Sequence, residues 1–241
     1  MRKLSTLAAL RLSGLAVFSA AIVGAAAYAR AAAPVETVMP APSGWNAASL
    51  GTIDPKVFGL AMDATECAID TGAVKDPATL SVIDYSKVST VPRLWVYDLK
   101  SRSLVYQELV AHGQGSGGNI PTRFSNETDT HASSLGLFLT GTTVVAKTGY
   151  SLLLKGLEAG FNDHALARGI IMHGAWYVSE AFAKAQGYLG RSWGCPAVSQ
   201  QVAHALIDRI KGGGVLFAYY PDPQWLATSK YLNGCGARRP S

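Results

Sequence analysis

The amino-acid sequence predicts a mainly β fold, a sandwich or barrel with a few helices. From residue 80 onward, short stretches rich in β-branched and aromatic residues alternate with turns rich in Gly, Ser, Asn and Lys. Such spacing favours strands that close into a sandwich or a barrel. Seven stretches have strand character: residues 80–85, 93–99, 104–111, 135–140, 151–154, 169–172 and 215–220.

Two helices are predicted to accompany the sheet. Asp54 and Pro55 form the pattern of an N-cap followed by proline at the first helical position, and apolar residues recur at helical spacing up to Gly72. A second helix, over residues 200–211, follows Ser199 as its N-cap and stops at three consecutive glycines. We expect the first helix to pack on the main domain in a structural role.

The N-terminus has the pattern of an export signal. A basic start is followed by an apolar run over residues 12–29, which ends in Ala-Tyr-Ala, a typical cleavage pattern. We expect removal of the signal; the alternative is a single membrane anchor, because the run approaches the length that spans a bilayer. The expected organisation is a signal peptide at 1–29, a proline-containing linker at 30–50, an N-terminal helical segment at 51–75 and the main domain at 76–241.

Charge and composition exclude several classes of partner. The formal net charge of +5 falls to +2 when the three basic residues of the signal are removed, and no basic run with interleaved aromatics remains. A nucleic-acid partner is therefore not expected. The five histidines show neither HExxH nor paired-cysteine spacing, so we expect no metal and no other cofactor. No stable membrane span is expected once the signal is cleaved, and the oligomeric state stays open.

One histidine and one cysteine, His173 and Cys195, are suited to thiol chemistry. His173 ends the apolar run 169–172, which we interpret as a buried strand that presents the imidazole at its end, where Gly174 allows a turn. The thiolate is the nucleophilic form of cysteine, and a neighbouring imidazole can take the thiol proton or store it in an ion pair. The alternative interpretation is a buried structural cysteine and a buried structural histidine.

The residues around Cys195 support the catalytic interpretation. Gly194 allows the backbone to approach a substrate carbonyl closely, and Pro196 stiffens the exit of the turn. The backbone N–H groups of Gly194 and Cys195 could stabilise a developing oxyanion. Arg191 and Ser192 give the turn a polar approach.

These residues resemble the signature of the murein L,D-transpeptidase catalytic domain family, the YkuD-like cysteine transpeptidases. The resemblance runs from about residue 92 to residue 220, and several further stretches carry it: residues 94–99 (LWVYDL), 112–117 (HGQGSG), 122–126 (TRFSN), 133–138 (SSLGLF) and 190–197 (GRSWGCPA). The family fold is also mainly β with few helices. The chain departs from the widespread form of the signature at Trp193 and Ala197, where that form has His and Arg or Asn.

The resemblance implies an exported enzyme of the periplasm or cell envelope that acts on peptidoglycan stem peptides. Cys195 would form a thioester with the stem peptide and pass the acyl group to an amine. His173 would act as base and then acid, with its ring oriented by the Gly174 carbonyl. Ser192 would support the loop, and Gly194 would supply the close backbone approach. Such enzymes are acylated at the same sulfur by carbapenems.

Three alternatives to this function remain. Transfer of the acyl group to water would make the protein an L,D-carboxypeptidase. A non-catalytic wall-binding module would keep the fold without the reaction. A papain-like cysteine hydrolase is disfavoured, because those enzymes place Cys before His in the chain and His173 precedes Cys195 here.

Five residues are candidates for substrate binding. An Arg fork matches the geometry of a carboxylate, which favours Arg123 and Arg191, although Arg123 and Asn126 are also typical of a surface and a turn. His112 begins a glycine-rich segment, 112–119, which lacks the ending of a phosphate loop and which we interpret as a flexible loop at the rim of the cleft. The candidates are Arg191, Trp193, Arg123, Asn126 and His112.

The odd cysteine count suggests one disulfide in an exported protein. Cys67 lies on the predicted N-terminal helix and Cys235 lies in the C-terminal tail. A bridge between them would tie the ends of the mature chain together and leave Cys195 free. Thiol counting on the unfolded, unreduced protein tests this pairing, and three free thiols would exclude it.

Overall fold

The structure, a computed structural model, describes residues 44–235 of the 241-residue chain. An eight-stranded mixed sheet dominates it, as the sequence predicts, with the strand order β3-β2-β1-β8-β4-β5-β6-β7. The strands are β1 (Thr79–Asp84), β2 (Leu94–Asp98), β3 (Ser103–Glu108), β4 (Gly136–Ala146), β5 (Gly149–Gly156), β6 (Ile171–Ala175), β7 (Ala197–Ser199) and β8 (Val215–Tyr219).

Six α-helices and one 3-10 helix complete the described chain. The helices are α1 (Ala47–Leu50), α2 (Pro55–Asp70), α3 (Glu180–Gln186), α4 (Gln200–Ile210), α5 (Pro223–Thr228) and α6 (Lys230–Asn233), with the 3-10 helix at Gln114–Ser116. The two helices predicted from the sequence are confirmed. Asp54 and Ser199 cap them through side-chain oxygens that accept backbone N–H groups.

The two edges of the sheet approach each other. Residue Ala111, three residues beyond the end of β3, forms an antiparallel bridge with Ala197 at the start of β7. Its N–H donates to the Ala197 carbonyl at 2.8 Å, and the Ala197 N–H donates back at 3.3 Å. The sheet is therefore a nearly closed barrel, and this closure brings the segment after β3 against the segment before β7.

The main core reaches further toward the N-terminus than the sequence suggested. Trp45 and Leu50 are buried, and Trp45 packs edge-on against Phe58 of α2 and Tyr97 of β2. We expected a linker over residues 30–50, and this expectation was wrong for residues 44–50. A short helix with an Asn46 cap seats Trp45 in the core.

A disulfide joins Cys67 of α2 to Cys235. The bridge confirms the pairing inferred from the odd number of cysteines. It spans 168 residues of sequence and fixes α2 to the C-terminal end of the described chain. Cys195 is the free cysteine of the described chain.

Strand β6 differs from its predicted course. We expected a strand over residues 169–172 with His173 at its end and a turn at Gly174. Instead β6 runs through both residues, and Gly174 pairs with Val198 of β7. A Cβ at Gly174 would lie 2.8 Å from the Ala203 Cβ, so glycine is needed here for α4 to pack on the strand.

Several expectations fall outside the described residues. The signal peptide at 1–29 and the linker up to residue 43 lie there, as do residues 236–241. Between residues 44 and 235, no helix is long and apolar enough to cross a bilayer.

Candidate active site

Two neighbouring strands bring His173 and Cys195 together. β6 and β7 pair in parallel, with His173 opposite Ala197, which lies two residues after Cys195. The His173 N–H donates to the Pro196 carbonyl at 3.4 Å. The pairing therefore fixes the backbone that carries the imidazole beside the backbone that carries the thiol.

The His173 ring is held in one tautomer. Its Nδ1 lies 3.0 Å from the Gly174 carbonyl oxygen, which can only accept a hydrogen bond. Nδ1 therefore carries the hydrogen, and Nε2 is left as the proton acceptor. The side chain is buried, 4 % exposed, and burial lowers its pKa, against the opposing effect of the Gly174 hydrogen bond. Near neutral pH the ring is a neutral base.

The Cys195 thiol is also neutral at rest. Burial raises its pKa above the ordinary range, while the Ile171 N–H, the charge of Arg168 and its own N–H act in the opposite direction. The thiol lies 3.8 Å from the Gly169 carbonyl oxygen, to which it donates. A neutral thiol and a neutral imidazole on adjacent backbone segments fit general-base activation, in which the ring takes the thiol proton, rather than a preformed thiolate–imidazolium ion pair.

The loop of Cys195 is braced from within by Ser192. Its hydroxyl donates to the Cys195 carbonyl at 2.6 Å and accepts from the Gly194 N–H at 3.2 Å. The expectation that the Gly194 N–H faces an oxyanion is therefore wrong for this arrangement, because that N–H is already donated. Gly194 has a φ of 113°, a conformation that L side chains rarely adopt, so the turn requires glycine.

The glycine-rich segment 112–119 is a scaffold for this loop rather than a flexible rim. Gly113 forms a bridge with Ser192, whose carbonyl accepts the Gln114 N–H at 2.8 Å. A Cβ at Gly113 would lie 2.6 Å from the Gly194 Cα, so only glycine permits this approach. The expectation of flexibility was wrong because main-chain hydrogen bonds connect the segment to the Cys195 loop.

Ser133, which sequence reasoning did not single out, connects the two loops. Its hydroxyl accepts from the Gly113 N–H and donates to the Gly194 carbonyl, each at 3.0 Å. The residue is buried. It lies in the stretch 133–138 that carries the family resemblance, and that was its only signal in the sequence.

Arg168 is a second residue that the sequence analysis missed. It lies in the turn before β6, and its charge opposes the rise in the pKa of Cys195 that burial causes. Its Nη1 donates to the Ser125 carbonyl and to the Ser134 hydroxyl at 2.7 and 2.6 Å, and its Nη2 donates to the Ala132 carbonyl at 2.7 Å. No sequence pattern relates this arginine to a cysteine 27 residues later.

The family model for the L,D-transpeptidase catalytic domain matches residues 50–219, which is more than half of the chain. The chain belongs to the L,D-transpeptidase catalytic domain family. The resemblance first suggested by the sequence motifs is therefore confirmed, and the match includes α2 and every strand of the sheet. Comparison with the curated proteins gives no match.

Solved structures of L,D-transpeptidases resemble this L,D-transpeptidase domain distantly. One from Mycobacterium smegmatis is 14% identical, with 59% of each chain covered and a TM-score of 0.38. One from Stackebrandtia nassauensis is 13% identical over 67% of this chain and 66% of that chain, with a TM-score of 0.34. One from Xylanimonas cellulosilytica is 17% identical over 64% and 69%, with a TM-score of 0.34. This chain spans about three fifths of the length of the mycobacterial structure.

The two candidate arginines of the L,D-transpeptidase domain hold its glycine-rich segment. Arg123 donates through Nε to the Gly115 carbonyl at 2.9 Å, and Arg191 donates through Nη1 to the Gly117 carbonyl at 2.8 Å. Both side chains are largely exposed and retain further N–H groups. They brace the segment and can still present donors to a carboxylate.

Two other substrate-binding candidates lie inside the protein. His112 is 1 % exposed, and its Nδ1 accepts from Arg93 at 2.8 Å. Burial, followed by the charge of Arg93, lowers the pKa of His112 to about 3, so the ring stays neutral. Asn126 is buried, with its amide donating to Asp163 and accepting from the His164 N–H. These contacts give both residues a structural role, and the placement of His112 in the cleft was wrong.

Trp193 lies in the open, 71 % exposed, in the loop of Cys195. Its ring stacks on His131, with ring centroids 4.7 Å apart and an interplanar angle of 8°. His131 Nδ1 in turn lies 3.0 Å from the Gln114 amide nitrogen, which donates to it. This stack orients one indole face and leaves apolar surface two residues from the thiol.

Within residues 44–235, no group of three or more His, Cys, Asp or Glu is arranged to hold a metal ion.

Proposed function

We propose that this protein is an exported peptidoglycan L,D-transpeptidase that uses Cys195 as its nucleophile. The observation that supports the proposal is the pairing of β6 with β7, which places the backbone of His173, whose ring keeps Nε2 as proton acceptor, beside the segment that carries the free Cys195, inside an L,D-transpeptidase catalytic domain. Residues 1–29 supply the export signal, and the protein acts in the periplasm or cell envelope.

In the first half-reaction, His173 Nε2 takes the thiol proton and the sulfur attacks the carbonyl at the L-centre of the stem peptide's diamino acid. This step requires the thiol to turn from the Gly169 carbonyl toward the imidazole. The tetrahedral intermediate collapses as the C–N bond to D-Ala breaks, and the imidazolium returns the proton to the leaving amine. The products are a thioester at Cys195 and free D-Ala.

The negative oxygen of the intermediate needs a nearby donor. Because the Gly194 N–H is donated to Ser192, the Cys195 N–H is the remaining backbone candidate in this loop. Ser192 and Ser133 keep that backbone in place through their hydrogen bonds to the carbonyls of Cys195 and Gly194. The loop is thus organised before the substrate binds.

In the second half-reaction, an amine attacks the thioester and the C–S bond breaks. His173 takes the amine proton and passes it to the leaving sulfur, which restores the Cys195 thiol. The amine comes from a second stem peptide or from a free D-amino acid. Attack by water in the same position would give an L,D-carboxypeptidase. Trp193 offers apolar surface to the stem peptide, and the exposed Arg123 and Arg191 offer donors to its carboxylates.

The test is incubation of the purified protein with a disaccharide-tetrapeptide and D-methionine, followed by mass spectrometry. A transpeptidase exchanges the terminal D-Ala for D-Met, whereas a carboxypeptidase releases D-Ala and leaves a tripeptide. Cys195→Ser, which preserves the size of the side chain, is expected to form neither product. Binding of the muropeptide without either product would favour the wall-binding module.

A further inference from the structure

The surroundings of Cys195 disfavour the negative charge of its thiolate. Burial raises the pKa of the thiol, and the neighbouring His173 ring is neutral at rest, because burial lowers its pKa. The sulfur must nevertheless carry negative charge as it attacks. The other titratable side chains that interact with its charge are two tyrosines, Tyr85 and Tyr177, which are neutral near pH 7. A fixed positive charge would lower the free energy of the thiolate.

Arg168 is positioned to supply that charge. A Cβ built on Gly194, the residue before Cys195, would lie 3.5 Å from Arg168 Nη2, so the guanidinium lies against the turn that carries the thiol. Its hydrogen bonds to Ser125, Ala132 and Ser134 fix the group in place. A fixed charge needs no reorganisation when the thiolate forms.

The acceptors of Arg168 leave its charge largely uncompensated. Two are backbone carbonyls and one is a hydroxyl, and none is ionised. Within residues 44–235, no carboxylate lies within ion-pairing distance of Arg168. The acid whose charge acts on the guanidinium is Glu127, from beyond that distance. The charge of Arg168 that acts on the sulfur is therefore not neutralised by an ion pair.

We propose that Arg168 is a positioning residue that acts through Cys195 and stabilises its thiolate as the thiolate forms. The chain has no cation at Ala197, on the exit side of Cys195, and Arg168 supplies the charge from the turn that precedes β6, the strand that carries His173. The effect of Arg168 on the thiolate does not depend on which reaction the thiol performs. Only the role of that thiolate in transpeptidation rests on the proposed function.

A purely mechanical role for Arg168 has different consequences. Its acceptors Ala132 and Ser134 flank Ser133, which holds Gly194, so Arg168 could act only by bracing that segment. A brace depends on the fork of N–H groups, whereas an electrostatic role depends on the charge. Arg168→Lys keeps the charge and loses the fork, and Arg168→Gln loses the charge.

The experiment measures alkylation of Cys195 by iodoacetamide between about pH 5 and pH 11, with intact mass as the readout. We expect Arg168→Gln to raise the titration midpoint of the thiol by about one pH unit and to slow alkylation at pH 7 about tenfold. Arg168→Lys should stay within about half a unit of wild type. Ser134→Ala, which removes one acceptor and keeps the charge, should not move the midpoint.

Equal midpoints for wild type and a folded Arg168→Gln would overturn the proposal, as would an equal shift in Arg168→Lys and Arg168→Gln. Circular dichroism establishes whether each variant is folded. If Arg168→Gln does not fold, Arg168→Lys decides alone, since a folded lysine variant shifted by about a full unit contradicts an electrostatic role. Alkylation needs no peptidoglycan, so the result stands even if the proposed transpeptidation fails its own test.

Discussion

A methyl group at Gly113 should separate the glycine-rich segment from the loop of Cys195. The Cβ of Gly113→Ala would lie 2.6 Å from the Gly194 Cα and closer still to the His131 carbonyl oxygen. Ordinary carbon contacts need about 3.5 Å, so these backbones must separate by about 1 Å. A displacement of about 1 Å can cost about 100-fold in rate. We expect acylation of Cys195 to slow by about that factor, with about 1–3 kcal/mol of stability lost.

The assay is the rate at which a carbapenem adds to Cys195, followed by intact mass, together with urea unfolding. Gly118→Ala is the matched control, because it lies in the same segment, and a Cβ there meets nothing within 4 Å. We expect the control to react within about twofold of wild type, as surface substitutions away from packed sites usually have little effect. A Gly113→Ala variant that reacts at the wild-type rate would refute the view that this contact positions Cys195.

Three other perturbations test separate parts of the account. Ser192→Ala removes the hydroxyl that donates a hydrogen bond to the Cys195 carbonyl and should slow acylation about tenfold with little change in Tm. An unchanged rate would show that the loop keeps its conformation without this hydrogen bond. Because burial lowers the pKa of His173 and the base must be neutral, acylation should be lost as pH falls through a midpoint below about 6.5, and a higher midpoint would contradict the neutral pair. Replacing Cys67 and Cys235 together by Ser should lower the free energy of unfolding by about 2–4 kcal/mol and leave Cys195 reactive, whereas three free thiols in the unreduced, unfolded wild type would rule the bridge out.

Local patterns in the sequence predicted most elements of the fold. The Asp54 and Ser199 caps, each followed by apolar residues at helical spacing, placed α2 and α4 within two residues of their ends. Short β-branched runs placed seven of the eight strands. β7 was missed because a strand of three residues has too little pattern to detect, and it exists through its pairing with β6. Residues 45–50, which include α1, were interpreted as linker because the burial of Trp45 depends on contacts with α2 and β2, which no local pattern shows.

In the candidate site, too, residues in local motifs were predicted, whereas residues placed by long-range packing were missed or misplaced. His173, Cys195, Ser192 and Gly194 belong to motifs that are local in sequence, and the structure brings them together. Arg168 was missed because its contacts depend on how the chain folds over the barrel, and side-chain contacts between distant segments leave no periodic signal. Long-range packing likewise buried His112, which its neighbouring glycines made look like part of a surface loop.

The most direct test of the central claim is the intact mass of the purified protein after incubation with a carbapenem. We predict one adduct on the wild type, none on Cys195→Ala and slow formation on His173→Gln, because the nucleophile is lost in one variant and its base in the other. A wild type that forms no adduct while its thiol is shown to be reduced would contradict the account, and so would an adduct that persists on Cys195→Ala.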